Sequence, residues 1–330
     1  MKIVWRSKRM LKIRTSVLSA LLGVLAMFFA VRLSAAPLVF TLHVDNDVLF
    51  GTDREYTGGF KFKFTADTSD SGEAVFGGLD AMLYRIAELK PHSDQLEVAV
   101  EAFTLTRVQG NRKKPVAVLN EAWTHVDLRR FYVNRDVQMG LDLSVGWLGP
   151  NSPGKPLQNE LHQLIGNDLV DGWDHQLPDQ PTVMLGASVR KTEAYWQDWA
   201  LYQSAWLKLG SPTTQGFWGA GLIKQVNSEP VFLYNDINYA APTGSSLGYF
   251  YYGSLGMSYL GYTALLDGRL FGEDERLLSR YHWIPLVEYG MGVTFREFAL
   301  TLSGNAVGQI YKKQPEESFH FASLTMNWRF

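Results

Sequence analysis

The chain has 330 residues, 31 basic and 33 acidic side chains, seven histidines and no cysteine. Disulfides, thiolate nucleophiles and cysteine-built zinc sites are therefore excluded. Seven of the basic residues and none of the acidic ones lie in residues 1–36, so the remainder carries 24 basic against 33 acidic side chains, or net −9, which argues against nucleic-acid binding.

Residues 1–36 read as a secretory signal peptide. Lys2, Arg6, Lys8, Arg9, Lys12 and Arg14 form a basic leader, Val17 to Val31 an apolar core, and Ser34-Ala35-Ala36 a small-residue cleavage region. The apolar run falls short of the ~20 residues of a spanning helix. Arg32 follows it directly, which leaves an uncleaved anchor as the alternative. Either reading exports the chain, with residues 37–330 as a single domain.

Asp45-Asn46-Asp47 comes next, in a first strand, followed by Asp53-Arg54 and by Tyr56-Thr57-Gly58-Gly59 at the start of a second alternating segment, Thr57 to Thr65. Acids, an amide and a hydroxyl crowd together here. Such a cluster needs a cation, a hydrogen-bond network or solvent to relieve its like charges, so it marks a site or a wet loop. It is not an EF-hand, because Tyr56 stands where that loop requires glutamate.

Alternating segments recur along the chain, at Leu96 to Thr106, Val137 to Leu148, Thr182 to Lys191, Gln197 to Gly210, Gln215 to Gln225, Leu247 to Gly261 and Ser318 to Phe330. In Val137 to Leu148 the odd positions are apolar, while Gln138, Gly140, Asp142, Ser144 and Gly146 are polar or small. No apolar run after residue 36 is long enough for a membrane helix. Closed barrels are the other structure that satisfies the backbone in lipid, with strands of ~9–11 residues. At ~20–25 residues per strand and turn, residues 37–330 supply about 12 strands.

The fold class is thus all-β, a transmembrane antiparallel β-barrel of about 12 strands. A soluble β-sandwich also alternates, but it gives no account of the 10 Trp, 15 Tyr and 19 Phe or of a chain ending on Phe330. That ending resembles the C-terminal signal read by the outer-membrane assembly machinery, an implied partner. Ser69 to Gly78, Gln109 to Pro115 and Phe271 to Leu278 read as loops. There is no internal repeat and no linker.

Between Gly149 and Gln176 the pattern changes. Gly149, Pro150, Pro153, Gly154 and Pro156 stop the strand, and Leu157, Leu161, Leu164 and Ile165 then recur at helical spacing. Gln158 and His162, at i and i+4, share a face of this short helical insertion. Asn167, Asp168 and Asp171 follow. An isolated histidine is more often an ordinary surface or packing residue. Beside oxygen-rich Asp and Asn clusters that suit calcium, however, an imidazole can deprotonate water for ester hydrolysis. No HExxH, GxSxG or Walker motif offers another route. An esterase acting on phospholipid and a non-enzymatic channel or structural barrel remain as alternatives.

These residues resemble the outer-membrane lipid A 3'-O-deacylases of the LpxR type. The likeness rests on Asn46-Asp47, on Asp53-Arg54-x-Tyr56-Thr57-x-Gly59, on Asn111 to Pro115 with its basic cluster, and on Gly149-Pro150 leading into Gln158-Asn159-x-x-His162-x-x-x-Gly166, with Trp173 and Gln176 beyond. It spans Phe40 to Gln176. The resemblance implies a 12-stranded barrel that removes the 3'-linked acyloxyacyl chain from lipid A in the outer leaflet, with Ca2+ as cofactor. It implies His162 as general base and Asp47 as a calcium ligand with Asn46 beside it. Thr57 and Gln158 would orient water or substrate, and Asp168 would stand where the family has glutamate, one methylene shorter. Arg112, Lys113 and Lys114 stand at the site lysine's cluster and offer partners for a lipid A phosphate.

Overall fold

The computed structural model describes residues 38–47, 55–67, 77–107, 116–165, 173–174, 176–233, 236–242, 247–270 and 278–330. Twelve antiparallel strands close into a barrel. The first eight are β1 (Leu38–Asn46), β2 (Glu55–Asp67), β3 (Lys90–Arg107), β4 (Val116–Val133), β5 (Val137–Leu148), β6 (Gln180–Trp196), β7 (Trp199–Gly210) and β8 (Thr213–Val226). A hairpin of β9 (Ser228–Leu233) and β10 (Asp236–Pro242) stands outside the ladder, and β8 pairs directly with β11 (Gly248–Thr263). β12 (Trp283–Phe295), β13 (Phe298–Gly308) and β14 (Ser318–Arg329) complete the circuit. Closure is made where Val39 faces Arg329 and Asn46 faces Ala322, so the motif-bearing first strand lies at the seam.

The period-two pattern sets the two faces. Outward positions include Val183, Leu185, Leu209, Leu255, Met257 and Met291, all exposed, as lipid requires. Inward positions carry buried charges in pairs. Arg129 donates from Nη1 to Gln95 Oε1 (3.0 Å), from Nη2 to Asp127 Oδ2 (2.5 Å) and to both Glu97 oxygens. Lys63 lies 3.4 Å from Glu97.

Both chain ends of the barrel share one rim, where Phe330 N donates to Leu38 O (2.8 Å) and short turns join β4 to β5, β6 to β7 and β12 to β13. Short turns mark the periplasmic end of such barrels, so this rim is the periplasmic one and the opposite rim is extracellular. The β9–β10 hairpin crosses the periplasmic mouth, approaching β5 and β6 on one side and β12, β13 and β14 on the other. Gln138 Nε2 donates to Pro230 O at 3.2 Å.

Among the described residues three helices accompany the barrel: α1 (Gly77–Ala87), α2 (Gly154–Ile165) and α3 (Ala264–Asp267). α2 is the expected insertion, and it carries Gln158 and His162. It starts at Gly154, before the first apolar residue of the pattern, because Pro156 in the first turn needs no intrahelical N–H partner. α1 was not expected: Gly77 and Gly78, the end of the stretch read as a loop, open it. Gln197 forms the β6–β7 turn at φ 54° rather than starting β7. The signal segment and Gln109 to Pro115 lie outside the described residues, as does Phe271 to Leu278 up to residue 277.

Candidate active site at the extracellular rim

The site starts from a bulge. β2 pairs with β3 in regular register except between Tyr56 and Gly58, where Thr57 is the extra residue. A bulge re-aims its neighbours. Tyr56 turns into the lumen, where its hydroxyl donates to Asp45 Oδ2 (2.6 Å) and Glu101 Oε1 (3.2 Å). Asp45 Oδ1 accepts from Ser323 Oγ (2.6 Å) and lies 2.7 Å from His43 Nε2, and Lys61 Nζ stands 3.1 Å from Oδ2. Thr57 Oγ1 donates to Ala102 O (3.1 Å), and Asn46 Nδ2 to Thr57 O (3.5 Å). Asp45 thus anchors β1 from inside the barrel while Asn46, its neighbour, faces the other side.

The helical insertion is seated with equal care. Gly149 ends β5 at φ 126°, a left-handed conformation that glycine tolerates, and a Cβ there would stand 2.7 Å from Asp179 Cα. Asp179 closes the base of the insertion, accepting from Trp147 Nε1 (2.9 Å), Asn151 N (2.9 Å) and Asn151 Nδ2 (2.6 Å). Glu121 Oε2 accepts from Leu177 N (2.8 Å), fixing the returning chain. At the start of α2, Gly154 sits against Ala122 and Trp173 so closely that a Cβ would clash with the Ala122 methyl. Asp179→Ala should unclasp this insertion. We expect several-fold slower turnover and faster proteolytic cleavage within residues 150–178, with the barrel's heat-modifiable gel migration unchanged.

The consequence is a small cavity between α2 and the barrel, bounded by Asn46, Thr57, Gly58, Ala102, Gly154 and Gln158. The even-numbered wall residues define its side. On β4 the odd positions Trp123, His125, Asp127 and Arg129 line the lumen, so Ala122, under Gly154, faces outward. The cleft therefore opens on the outer wall at the extracellular rim. Phe62 and Val98, lower on the same wall, are exposed and apolar, the surface that acyl chains meet.

Asn46, Thr57 and Gln158, drawn from distant parts of the sequence, are brought together here, with Gln158 buried. Asp47 follows Asn46 and is also buried, and His162 lies one turn beyond Gln158 on α2. Arg112, Lys113 and Asp168 lie outside the described residues. Sequence reasoning missed the roles of Asp45, Tyr56, Glu121 and Asp179 as supports. It also missed a lumenal group, Glu97, His125 and Asp127, whose signal was charges at i and i+2 on paired strands.

That group is the one cluster of metal-binding geometry among the described residues. Its carboxylates are already matched by Arg129 and Lys63, and its imidazole suits a transition ion better than calcium. It also lies inside the barrel, across the wall from the cleft. At the cleft, the Asn46 and Gln158 amide oxygens and the Thr57 hydroxyl offer oxygen ligands, with the Asp47 carboxylate next along the chain from Asn46, the ligand type a hard cation takes.

A closed barrel with an apolar outer belt and an outward cleft beneath an extracellular helix defines an integral outer-membrane protein with a candidate site on its lipid-facing wall. Family comparison agrees: the model described as Outer membrane protein LpxR matches residues 17–330. The chain belongs to the LpxR family, whose members are lipid A deacylases with lipopolysaccharide as substrate. Among solved structures it is similar to LpxR from Salmonella typhimurium, at 16% identity and TM-score 0.69, covering 88% of this chain and 100% of that one. The β domain of the Bordetella autotransporter BrkA matches at 10% identity and TM-score 0.41, covering 89% and 98% of the two chains. No curated protein sequence matches.

Proposed function

We propose that this protein hydrolyses the ester of the 3'-linked acyloxyacyl chain of lipid A in the outer leaflet, with His162 as the base and Ca2+ as cofactor. The observation that supports the reading is the outward cleft in which Asn46 and Thr57 meet Gln158. A ring nitrogen of His162 takes a proton from water, and the water oxygen attacks the ester carbonyl carbon. The bond from that carbon to the sugar oxygen then breaks, and the proton passes to the departing sugar hydroxyl. Thr57, Gln158 and Asn46 orient the water and the ester and meet the charge that develops on the carbonyl oxygen. Arg112 and Lys113 hold a lipid A phosphate, which sets the sugar's position. Calcium held by Asp47 and Asp168 would supply Lewis-acid polarisation of the ester.

Residues 1–36 act in this reading as the export signal, and the strand ending at Phe330 engages the assembly machinery. Chelation should abolish acyl release by the purified protein, and added calcium should restore it. Asp47→Asn should raise the calcium needed for half-maximal rate by roughly tenfold or more, because affinity follows the charge of the ligands. Full activity in excess chelator would rule out the calcium role. Release of a glycerophospholipid acyl chain instead of an acyloxyacyl unit would redirect the substrate assignment.

A further inference from the structure

α1 lies on the outside of the barrel, at its periplasmic end. The placement follows from strand parity. Gln95 and Arg129 are cross-strand neighbours turned to the lumen, so the next pair, Asp94 and Arg130, faces outward. Arg130 Nη1 donates to both Asp94 oxygens (3.1 and 3.2 Å), and Nη2 donates to Asp80 Oδ2 of α1 (2.9 Å). Tyr132 Oη donates to Asp80 Oδ1 (2.9 Å), and Asn134 Nδ2 to Ala87 O at the other end of the helix (2.8 Å). An outward Asp–Arg pair would be costly against lipid. α1 roofs it, and Asp94, Arg130 and Tyr132 are all buried.

With that face pinned to the wall, a second face is left over. Leu79, Met82, Leu83 and Ile86 recur at i, i+3, i+4 and i+7 and form one apolar stripe. No residue of the helix is buried, and Ile86 is 74% and Met82 47% exposed. Farther up the same wall the outward residues are Leu96, Val98, Val126 and Leu128, so the stripe continues the lipid-facing surface toward the periplasmic boundary. Arg85, in the last turn and also exposed, is placed to meet a headgroup phosphate.

We propose that α1 is an interfacial helix that inserts its Leu79–Ile86 stripe among phospholipids of the periplasmic leaflet. The barrel then contacts both leaflets through built elements, the outer one at the α2 cleft and the inner one at α1. This proposal does not depend on the catalytic reading. A helix of this kind buries its apolar face at the boundary between headgroups and acyl chains.

The absence of cysteine makes the test direct. Single variants Ile86→Cys, Met82→Cys, Arg85→Cys and Val98→Cys of the full chain are spin-labelled and reconstituted in phosphatidylethanolamine–phosphatidylglycerol vesicles, with folding checked by heat-modifiable migration. Collision with oxygen and with a water-soluble nickel chelate is then measured. Labels at positions 86 and 82 should match position 98, with oxygen favoured over nickel, whereas position 85 should favour nickel. Nickel access at 86 and 82 equal to that at 85 would overturn the proposal. So would dipolar broadening between copies at 86, which would make a second chain the occupant.

Discussion

Replacing His162 with alanine is expected to slow acyl release by ~10²–10⁴-fold, the range lost when a positioned general base is removed. Gln158 lines the cleft and His162 follows it by one helical turn, so the effect should fall on the chemical step rather than on assembly. His162→Gln keeps a polar side chain of similar reach but cannot take the proton at neutral pH, and it should be nearly as slow. Initial rates with defined lipid A in detergent, alongside gel migration of heated and unheated protein, separate the two effects. A rate within several-fold of wild type in a folded barrel would remove His162 from the role of base.

Gly154→Val should be almost as damaging to activity without weakening the barrel. The first turn of α2 rests on the Ala122 methyl and the Trp173 ring with no room for a branched side chain, so the helix must lift away from β4. A displacement on the order of 1 Å of groups that orient substrate can cost ~10²-fold. The sign is informative, because replacing a helical glycine ordinarily strengthens a helix. Loss of rate must then come from the lost seat. Gly154→Ala combined with Ala122→Gly exchanges the two volumes and should recover most of the rate lost in Gly154→Ala alone. Thermal unfolding of the barrel should be unchanged in the variants altered at Gly154 alone, since α2 lies outside the strand ladder. Failure of the exchange to restore rate would show that the close approach is not what positions α2.

The barrel was legible because lipid on one face and a polar lumen on the other impose period two, as Val137 to Leu148 displays and β5 confirms. β4 was less visible. His125, Asp127 and Arg129 point inward, but Arg130 breaks the outward apolar run, and that break makes sense only once α1 covers it. α1 itself was hidden behind the glycine- and serine-rich stretch that precedes it. At the site, the residue types in Asn46-Asp47, Thr57 and Gln158 could be read as chemistry, but their meeting could not. It depends on the bulge at Thr57, on the β1–β14 seam and on a helix that folds back outside the wall onto Ala122. These are properties of register and packing between segments far apart in sequence. The supports Asp45, Tyr56 and Asp179 were missed for the same reason, since each acts through a partner on another strand or at the far end of a loop.

Hydrolysis of the 3'-ester of lipid A at the rim cleft can be read in cells by tandem mass spectrometry of lipid A. Lipid A would be taken from calcium-supplied cells expressing the wild-type chain or His162→Ala at matched levels in the outer membrane. The wild type should yield lipid A lighter by one acyloxyacyl unit, with fragmentation locating the free hydroxyl at the 3' position, and His162→Ala should leave the lipid intact. Unaltered lipid A in cells with correctly assembled wild-type protein, or loss of a chain from another position, would contradict the account.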